Sequence, residues 1–255
     1  MILIDVHSHM DFDDFNNDRK NIFKQMKLNN IITLSNTTSF QNFIDSKKLF
    51  KGYEDVVKIC AGLYPEDAHN LSEKDLNTYI SYLKKNKDNF IAIGEVGLDR
   101  HCNPSESEFE KQVHIFKNML ELALELNKPI IIHTRKAEED VLKILEEYLK
   151  DSKYRKVILH CFSGKKKYIS KIKDLRISCS IPMIITNTKS FQDLVQNLPA
   201  NLLLVETDSP FLNPSKERNT PLNIPVIYDK IAEIKGLNRH EIENIIYNNY
   251  MKIFL

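Results

Sequence analysis

The sequence predicts an α/β fold, a single-domain (β/α)8 barrel covering residues 1–255. Eight short β-branched runs alternate with longer amphipathic segments along the whole chain. Several of these runs are almost continuously apolar, among them PIIIH, KVILH and LLLVET, as expected of parallel strands covered on both faces. A chain of 255 residues also has the usual length of such a barrel in one domain.

The predicted strands and helices alternate in chain order. Strands are expected at residues 2–6, 31–35, 56–61, 90–94, 129–133, 156–160, 176–180 and 202–207. Helices are expected at residues 19–29, 39–50, 72–86, 105–127, 137–150, 165–174, 189–197, 225–235 and 239–254. Because each crossover favours the same right-handed return, this order favours a closed TIM-type barrel. An open doubly wound sheet is the alternative, but the six glycines form no GxGxxG phosphate turn.

The composition narrows the class of protein. A hydrophobic fraction of 42% and a charged fraction of 28% are those of a globular protein with a large core. The net charge of +1 excludes a protein that coats nucleic acid, although a local basic patch is compatible with it. The sequence contains no CxxC pair and no apolar run near the roughly 20 residues of a membrane span, and its N-terminal segment is not expected to act as a signal peptide. We therefore expect a cytoplasmic protein with no membrane association and no evident obligate protein partner.

The first candidate site residues end the first strand, in the string DVHSH. Residues two apart on a strand point to the same side, so His7 and His9 can face one ion. The alternative is two unrelated surface histidines. Asp5 is expected to orient the pair, because a ligating imidazole usually donates its other N–H to a carboxylate or a carbonyl.

Four further titratable residues follow predicted strands. Glu95 comes directly after an apolar strand, where a carboxylate is costly to bury unless it is paired or bound to a cation. A salt-bridged structural glutamate is the alternative. His133 and His160 end consecutive strands at the same position, which favours metal ligands over core histidines. Asp208 closes LLLVETD, where a turn or capping aspartate is the alternative.

Together these six residues predict a metal site. All of them are expected at the carboxyl ends of the strands, where (β/α)8 barrels build their active sites. Four imidazoles and two carboxylates suit Zn²⁺ or Mn²⁺, with Mg²⁺ as the choice for a carboxylate-rich position. A bridging carboxylate would hold two divalent ions about 3.5–4 Å apart, the spacing that two-metal phosphoesterases use.

The same strings resemble the TatD family of metal-dependent hydrolases. The matching segments are DVHSHMD at 5–11, GEVGLD at 94–99, KPIIIHTR at 128–135, LHCFSG at 159–164 and LLLVETDSPFLNP at 202–214. Arg218, Asn219 and Pro221, with the helical segment NIPVIYDKIAEIKG, also resemble the family's C-terminal part. The resemblance covers essentially the full length.

This resemblance implies two divalent metal ions and deoxyribonuclease activity, commonly exonucleolytic, with DNA ends or single strands as the substrate. The first ion would take His7, His9, Glu95 and Asp208, and the second would take Glu95, His133 and His160. Glu95 would bridge the ions, where other members of the wider superfamily carry a carbamylated lysine. Asp208 would hold the attacking water and accept its proton.

The chain departs from the family pattern after the third strand. The family's G-x-H-P-H reads Gly-Leu-Tyr-Pro-Glu at 62–66, so Tyr64 and Glu66 replace two histidines, and His69 lies three residues beyond. Tyr64 is expected to donate a hydrogen bond to substrate, whereas Glu66 would repel a phosphate unless it is turned away. This departure keeps open another ester hydrolase, such as a D-aminoacyl-tRNA deacylase. A non-catalytic barrel is the third hypothesis, and it predicts the loss of a ligand, which the sequence does not show.

Basic residues near the site are candidates for phosphate binding. Arg135 follows His133 and is expected to neutralise phosphate oxygens. The lysines at 165–167 follow Gly164, where a solvated helix start is the favoured interpretation. Arg218 is expected either to contact phosphate or to lock the last loop.

Overall fold

The eight strands form one parallel sheet in which each strand pairs with the next along the chain. The structure, a computed structural model, describes residues 1–68, 70–163 and 165–255. The strands are β1 (Leu3–Ser8), β2 (Ile31–Asn36), β3 (Val57–Ala61), β4 (Ala92–Gly97), β5 (Ile130–His133), β6 (Val157–Leu159), β7 (Ser178–Ile181) and β8 (Leu203–Val205). The helices are α1 (Arg19–Leu28), α2 (Phe40–Leu49), α3 (Pro65–Ala68), α4 (Glu73–Lys85), α5 (Glu106–Leu126), α6 (Glu138–Leu149), α7 (Ile169–Asp174), α8 (Lys189–Asn197), α9 (Ile224–Lys235) and α10 (Arg239–Phe254).

The sheet closes where the segment after β8 meets β1. The backbone amide of Asp208 donates to the carbonyl oxygen of His7 at 2.9 Å, and the amide of His9 donates to that of Ser209 at 2.7 Å. A parallel bridge between Ser8 and Ser209 lies between these two bonds. The predicted (β/α)8 barrel is therefore confirmed, and the open doubly wound sheet is excluded.

Two apolar clusters stabilise the barrel. The outer cluster packs one face of the strands against the helices. The inner cluster takes one or two residues from seven of the strands, namely Ile4, Val6, Leu34, Cys60, Ala92, Ile131, Ile158 and Leu204. Tyr250, Ile253 and Phe254 of α10 belong to this inner cluster, and Asn249 donates to the carbonyl of Leu203 at the start of β8. Helix α10 therefore covers the amino end of the barrel and leaves the carboxyl end to the polar residues.

A register irregularity in β1 turns two histidines toward the barrel axis. Val6 faces the inner cluster, so strict alternation would send His7 and His9 to the helix-covered face. The pairing of β1 with β2 shifts between Asp5 and Ser8. An extra residue in a strand reverses the alternation beyond it. This irregularity therefore brings both imidazoles inward.

A second irregularity, in β4, does the same for Glu95. The sequence predicted that this strand ends at Gly94, and that prediction is wrong, because β4 continues to Gly97. Ala92 faces the inner cluster, and the pairing with β5 shifts between Ile93 and Val96. Glu95 consequently lies within the strand and faces inward, where simple alternation would direct it outward.

Most other predicted elements lie within a few residues of the observed ones. The predicted start of α10 is confirmed by a capping box, in which Asn238 accepts from the amide of Glu241 and Glu241 accepts from the amide of Asn238. Helix α3 was not predicted, since four residues are too few to show a helical period. Among the helices of the described ranges, we find none that combines the length and the apolar character needed to cross a bilayer.

Candidate metal centre

Four side chains converge at the carboxyl end of the barrel. His7 Nε2 and His9 Nε2 lie 3.2 Å apart. Glu95 Oε2 lies 3.4 Å from His7 Nε2 and 3.5 Å from His9 Nε2, and Asp208 Oδ1 lies 3.5 Å from each nitrogen. Ligands about 2.0–2.1 Å from a tetrahedral ion are about 3.3–3.4 Å from one another. These five separations are close to that value, and His7, His9 and Glu95 form a group of potential ligand atoms close enough to hold one ion.

The other oxygen of Glu95 faces a second group of imidazoles. Glu95 Oε1 lies 2.8 Å from His133 Nδ1 and 3.7 Å from His160 Nε2. These three residues also form a group of potential ligand atoms close enough to hold an ion. All six residues predicted from the sequence are therefore brought into one site, and Glu95 lies between its two halves.

The position of Glu95 is fixed by the loop after β3. The amide of Leu63 donates to the carbonyl oxygen of Glu95 at 2.9 Å. A β-carbon at Gly62 would overlap backbone atoms of Glu95 and of Thr37. Only glycine allows this close approach, so the chain at Gly62 packs directly on the backbone that carries the carboxylate.

The carboxylates of the centre are ionised. Burial by itself would raise the pKa of Glu95, but His7, His133 and His160 outweigh it and hold that pKa well below its usual value. The same balance, with His160 as the main neighbour, lowers the pKa of Asp208. Both groups therefore present negative charge in a buried site, as cation ligands do.

The imidazoles respond to these charges in two ways. Burial would lower the pKa of His9, His133 and His160, but neighbouring carboxylates raise each to about 9. For His7, burial and the charge of His160 together lower the pKa. Without bound cations, protons therefore balance the negative charge of the site.

Two buried carboxylates that the sequence analysis did not single out hold the second pair of histidines. Asp99 Oδ2 accepts from His133 Nε2 at 2.7 Å, which leaves His133 Nδ1 directed at Glu95. Glu206 Oε2 accepts from His160 Nδ1 at 2.9 Å and also from the hydroxyl of Ser180. Asp99 lies in the string GEVGLD and Glu206 in LLLVETD, both of which resemble the family. The sequence therefore did contain a signal for these two residues.

Asp5 acts differently from the prediction. Its carboxylate accepts from Thr33 Oγ1 at 2.9 Å and from the amide and hydroxyl of Thr207, both at 2.8 Å. It also accepts from the amide of His7 at 3.3 Å, but it does not bond either imidazole. The ring of His9 is instead held by the carbonyl oxygen of Asn36, 2.8 Å from its Nδ1. Asp5 therefore ties together the strands that carry the site.

A cavity of about 600 Å³ opens above the centre. Tyr64 and Arg135, the predicted substrate contacts, line it, and the ring of Tyr64 lies edge-to-face on His133 with centroids 5.2 Å apart. Glu66 is turned away and accepts from Cys102 Sγ at 2.7 Å. His69 lies outside the described residues.

The other basic candidates do not reach the cavity. Arg218 pairs with Asp18, donates to the carbonyl of Asp14 and stacks over Phe15, so its interpretation as a loop lock fits the structure and phosphate contact does not. Lys166 and Lys167 pair with acidic side chains on the surface. These pairs fit the interpretation of residues 165–167 as a solvated helix start. Gly164, which precedes them, lies outside the described residues.

Comparison with known proteins places these residues in a family. The model of the family described as TatD related DNase matches residues 4–255. The human protein named Deoxyribonuclease TATDN3 is 30% identical over 99% of this chain and 94% of its own length. YabD of Bacillus subtilis, named as an uncharacterized metal-dependent hydrolase, is 31% identical over 99% of both chains. The crystal structure of the TatD homologue YjjV from Escherichia coli K12 superposes with a TM-score of 0.88 at 24% identity, covering 99% of this chain and 97% of that one. The chain therefore belongs to the TatD-related DNase family of metal-dependent hydrolases.

Proposed function

We propose that this protein is a deoxyribonuclease that hydrolyses phosphodiester bonds at DNA ends or in single strands with the help of two divalent metal ions. The two oxygens of Glu95, which face two separate groups of imidazoles, are the observation that carries the proposal. A carboxylate placed in this way can bridge two ions. The name of the human relative supports DNA as the substrate.

We infer the ligands of each ion from the positions of the donor atoms. His7, His9, Glu95 and Asp208 would hold the first ion, and Glu95, His133 and His160 would hold the second. The nitrogen-rich set suits Zn²⁺ or Mn²⁺ better than Mg²⁺. When bound, the two ions would polarise a phosphoryl oxygen and lower the pKa of a water molecule toward neutrality.

The protein's own groups would bind the substrate and accept the proton. Asp208 is ionised, so it can take a proton from the attacking water. Arg135 lines the cavity and can neutralise phosphate oxygens. Burial raises the pKa of Tyr64, which therefore stays protonated and can donate a hydrogen bond to a phosphoryl oxygen.

A nuclease assay on the metal-loaded full chain tests this proposal. End-labelled single-stranded DNA should be degraded in the presence of Mg²⁺, Mn²⁺ or Zn²⁺, and EDTA should stop the reaction. Glu95→Gln should lower the rate by about 100-fold or more, since it removes charge from both ion sites. Glu110→Gln, which changes an exposed carboxylate on α5, is the matched control. Intact DNA with all three metals would contradict the proposal.

The alternative is hydrolysis of another ester, such as that of D-aminoacyl-tRNA. The loop at Tyr64 supports this alternative, because Tyr64 places a phenol where the family usually has an imidazole. Both substrates should be assayed side by side. Hydrolysis of D-aminoacyl-tRNA with DNA left intact would select the deacylase.

A further inference from the structure

Two phenylalanines form an aromatic wall beside the metal centre. The ring of Phe12 stacks on His9 with centroids 4.7 Å apart and planes inclined by 20°. The ring of Phe211 meets both of these rings edge-on, with a centroid separation of 6.1 Å in each case. Phe12 and Phe211 both line the cavity. The wall therefore begins at a residue of the centre itself and extends outward.

The exposure of Phe211 is not explained by packing. Its surface is 50% exposed, so its ring forgoes the stabilisation that burial would give. In the described ranges seven large hydrophobic residues are exposed, and Phe211 is the aromatic one and the one that lines the cavity. Scattered exposed side chains are ordinary, but an exposed ring inside a site indicates a ligand.

The segment that carries Phe211 is held in place. The amide of Phe211 donates to the carbonyl of Asp208 at 2.7 Å. Farther along, the amide of Asn219 donates to the carbonyl of Pro210 at 2.9 Å, and its side chain donates to that of Thr207 at 2.8 Å. Arg218 ties the same segment to Asp18. The ring is therefore pre-organised relative to Asp208, which limits the entropy lost on binding.

The cavity combines this apolar wall with a cation. Arg135 lines the cavity, and across the described ranges no side chain pairs with its guanidinium group. A ligand that suits both features has a flat apolar part and an anionic part joined by a short spacer. A nucleotide with an unpaired base has this chemistry, and aromatic rings bind such bases with little sequence preference.

We propose that Phe12 and Phe211 form a stacking site for the unpaired base of the nucleotide next to the scissile phosphate. This inference rests on the proposed nuclease function and narrows its substrate to single-stranded or frayed DNA. In an intact duplex a base is stacked on its neighbours, and unstacking it costs energy. The site would therefore favour ends and single strands without reading their sequence.

Fluorescence of a nucleotide probe tests the site without catalysis. The probe is the deoxyribonucleoside 5′-monophosphate of 2-aminopurine, a fluorescent base whose emission is quenched on stacking, titrated with Zn²⁺-loaded full-length protein. We expect quenching with the wild type and with Phe211→Tyr, and about tenfold weaker binding with Phe211→Ala. Met251→Ala removes an exposed apolar side chain from α10 and should behave as the wild type does. Metal content is measured for each variant.

A kinetic comparison completes the test. Single-stranded DNA with a terminal abasic nucleotide should show a KM about tenfold higher than DNA with a terminal base, and Phe211→Ala should remove this difference. Equal KM values for the two substrates in the wild type, or unchanged probe binding by Phe211→Ala, would overturn the stacking site and leave the nuclease proposal intact. Quenching by a wild type that cleaves no DNA would support the stacking site and contradict the nuclease.

Discussion

The backbone amide of Asp208 donates a hydrogen bond of 2.9 Å to the carbonyl oxygen of His7. This bond closes the barrel between β1 and the segment after β8. It also joins two residues whose side chains meet in the metal centre, with His7 Nε2 and Asp208 Oδ1 3.5 Å apart. The contact that completes the sheet therefore also sets the geometry of the centre.

Metal removal is expected to destabilise the protein, because β1 and the segment after β8, which close the barrel, carry the proposed ligands His7 and Asp208. A ligand that binds only the folded state at 100 times its Kd adds about 2.7 kcal/mol to the free energy of unfolding. Urea denaturation with and without a chelator measures this difference. Glu95→Ala is the control, since its stability should no longer respond to added metal. Superimposable curves for the wild type with and without metal would contradict the prediction.

Single ligand variants are expected to distinguish the two proposed ions. His9→Ala should weaken binding of the first ion and leave binding of the second unchanged. The reason is that His9 contacts only the Glu95 Oε2 side of the centre. His133→Ala should do the reverse, and Glu95→Ala should lose both. Metal analysis after dialysis against metal-free buffer counts the ions retained. Identical losses in the two histidine variants would indicate one shared ion.

Protons are expected to compete with the metal. His9, His133 and His160 have a pKa of about 9 in the metal-free protein, so they are protonated at neutral pH. An imidazole must lose its proton to act as a ligand. The apparent metal affinity should therefore rise with pH up to about 9, and metal binding at pH 7 should release protons. Calorimetric titrations in two buffers of different ionisation enthalpy measure that release, and equal heats would contradict it.

Glu206 is expected to increase the metal affinity of the centre by holding the ring of His160 in place. Glu206→Ala removes the acceptor of His160 Nδ1 and frees the ring to rotate. Loss of such a partner typically lowers metal affinity by about 10–100-fold. Ser180→Ala removes only a hydroxyl donor to Glu206 and should cost less. Competition with a fluorescent chelator gives both affinities, and an unchanged affinity for Glu206→Ala would count against this role.

Arg135 and Arg218 are expected to differ in their effects. Arg135→Ala should raise the KM for DNA about tenfold without loss of metal, because the cavity would lose a cation that can bind phosphate. Arg218→Ala breaks an exposed ion pair, so its cost in stability should stay below about 1 kcal/mol. Steady-state kinetics and urea denaturation on both variants check this contrast. A larger rise in KM for Arg218→Ala than for Arg135→Ala would reverse the assignment.

Much of the fold and of the centre could be predicted from the sequence because the signals are local. Apolar runs marked the strands, and amphipathic periods marked the helices. His133 and His160 lie two residues beyond Ile131 and Ile158, which face the inner cluster, so simple alternation already directs them inward. For these residues the strand position and the residue type were sufficient.

The sequence by itself determined the order of the strands and the residue types at their carboxyl ends. Tertiary structure alone decided that His7, His9 and Glu95 face the axis, because pairing with the neighbouring strands creates the register shifts in β1 and β4. It likewise decided the partners of Arg218 and Glu206. The reason is physical: a side-chain pattern repeats locally, whereas a bulge, a barrel closure or an ion pair depends on which distant segment lies alongside.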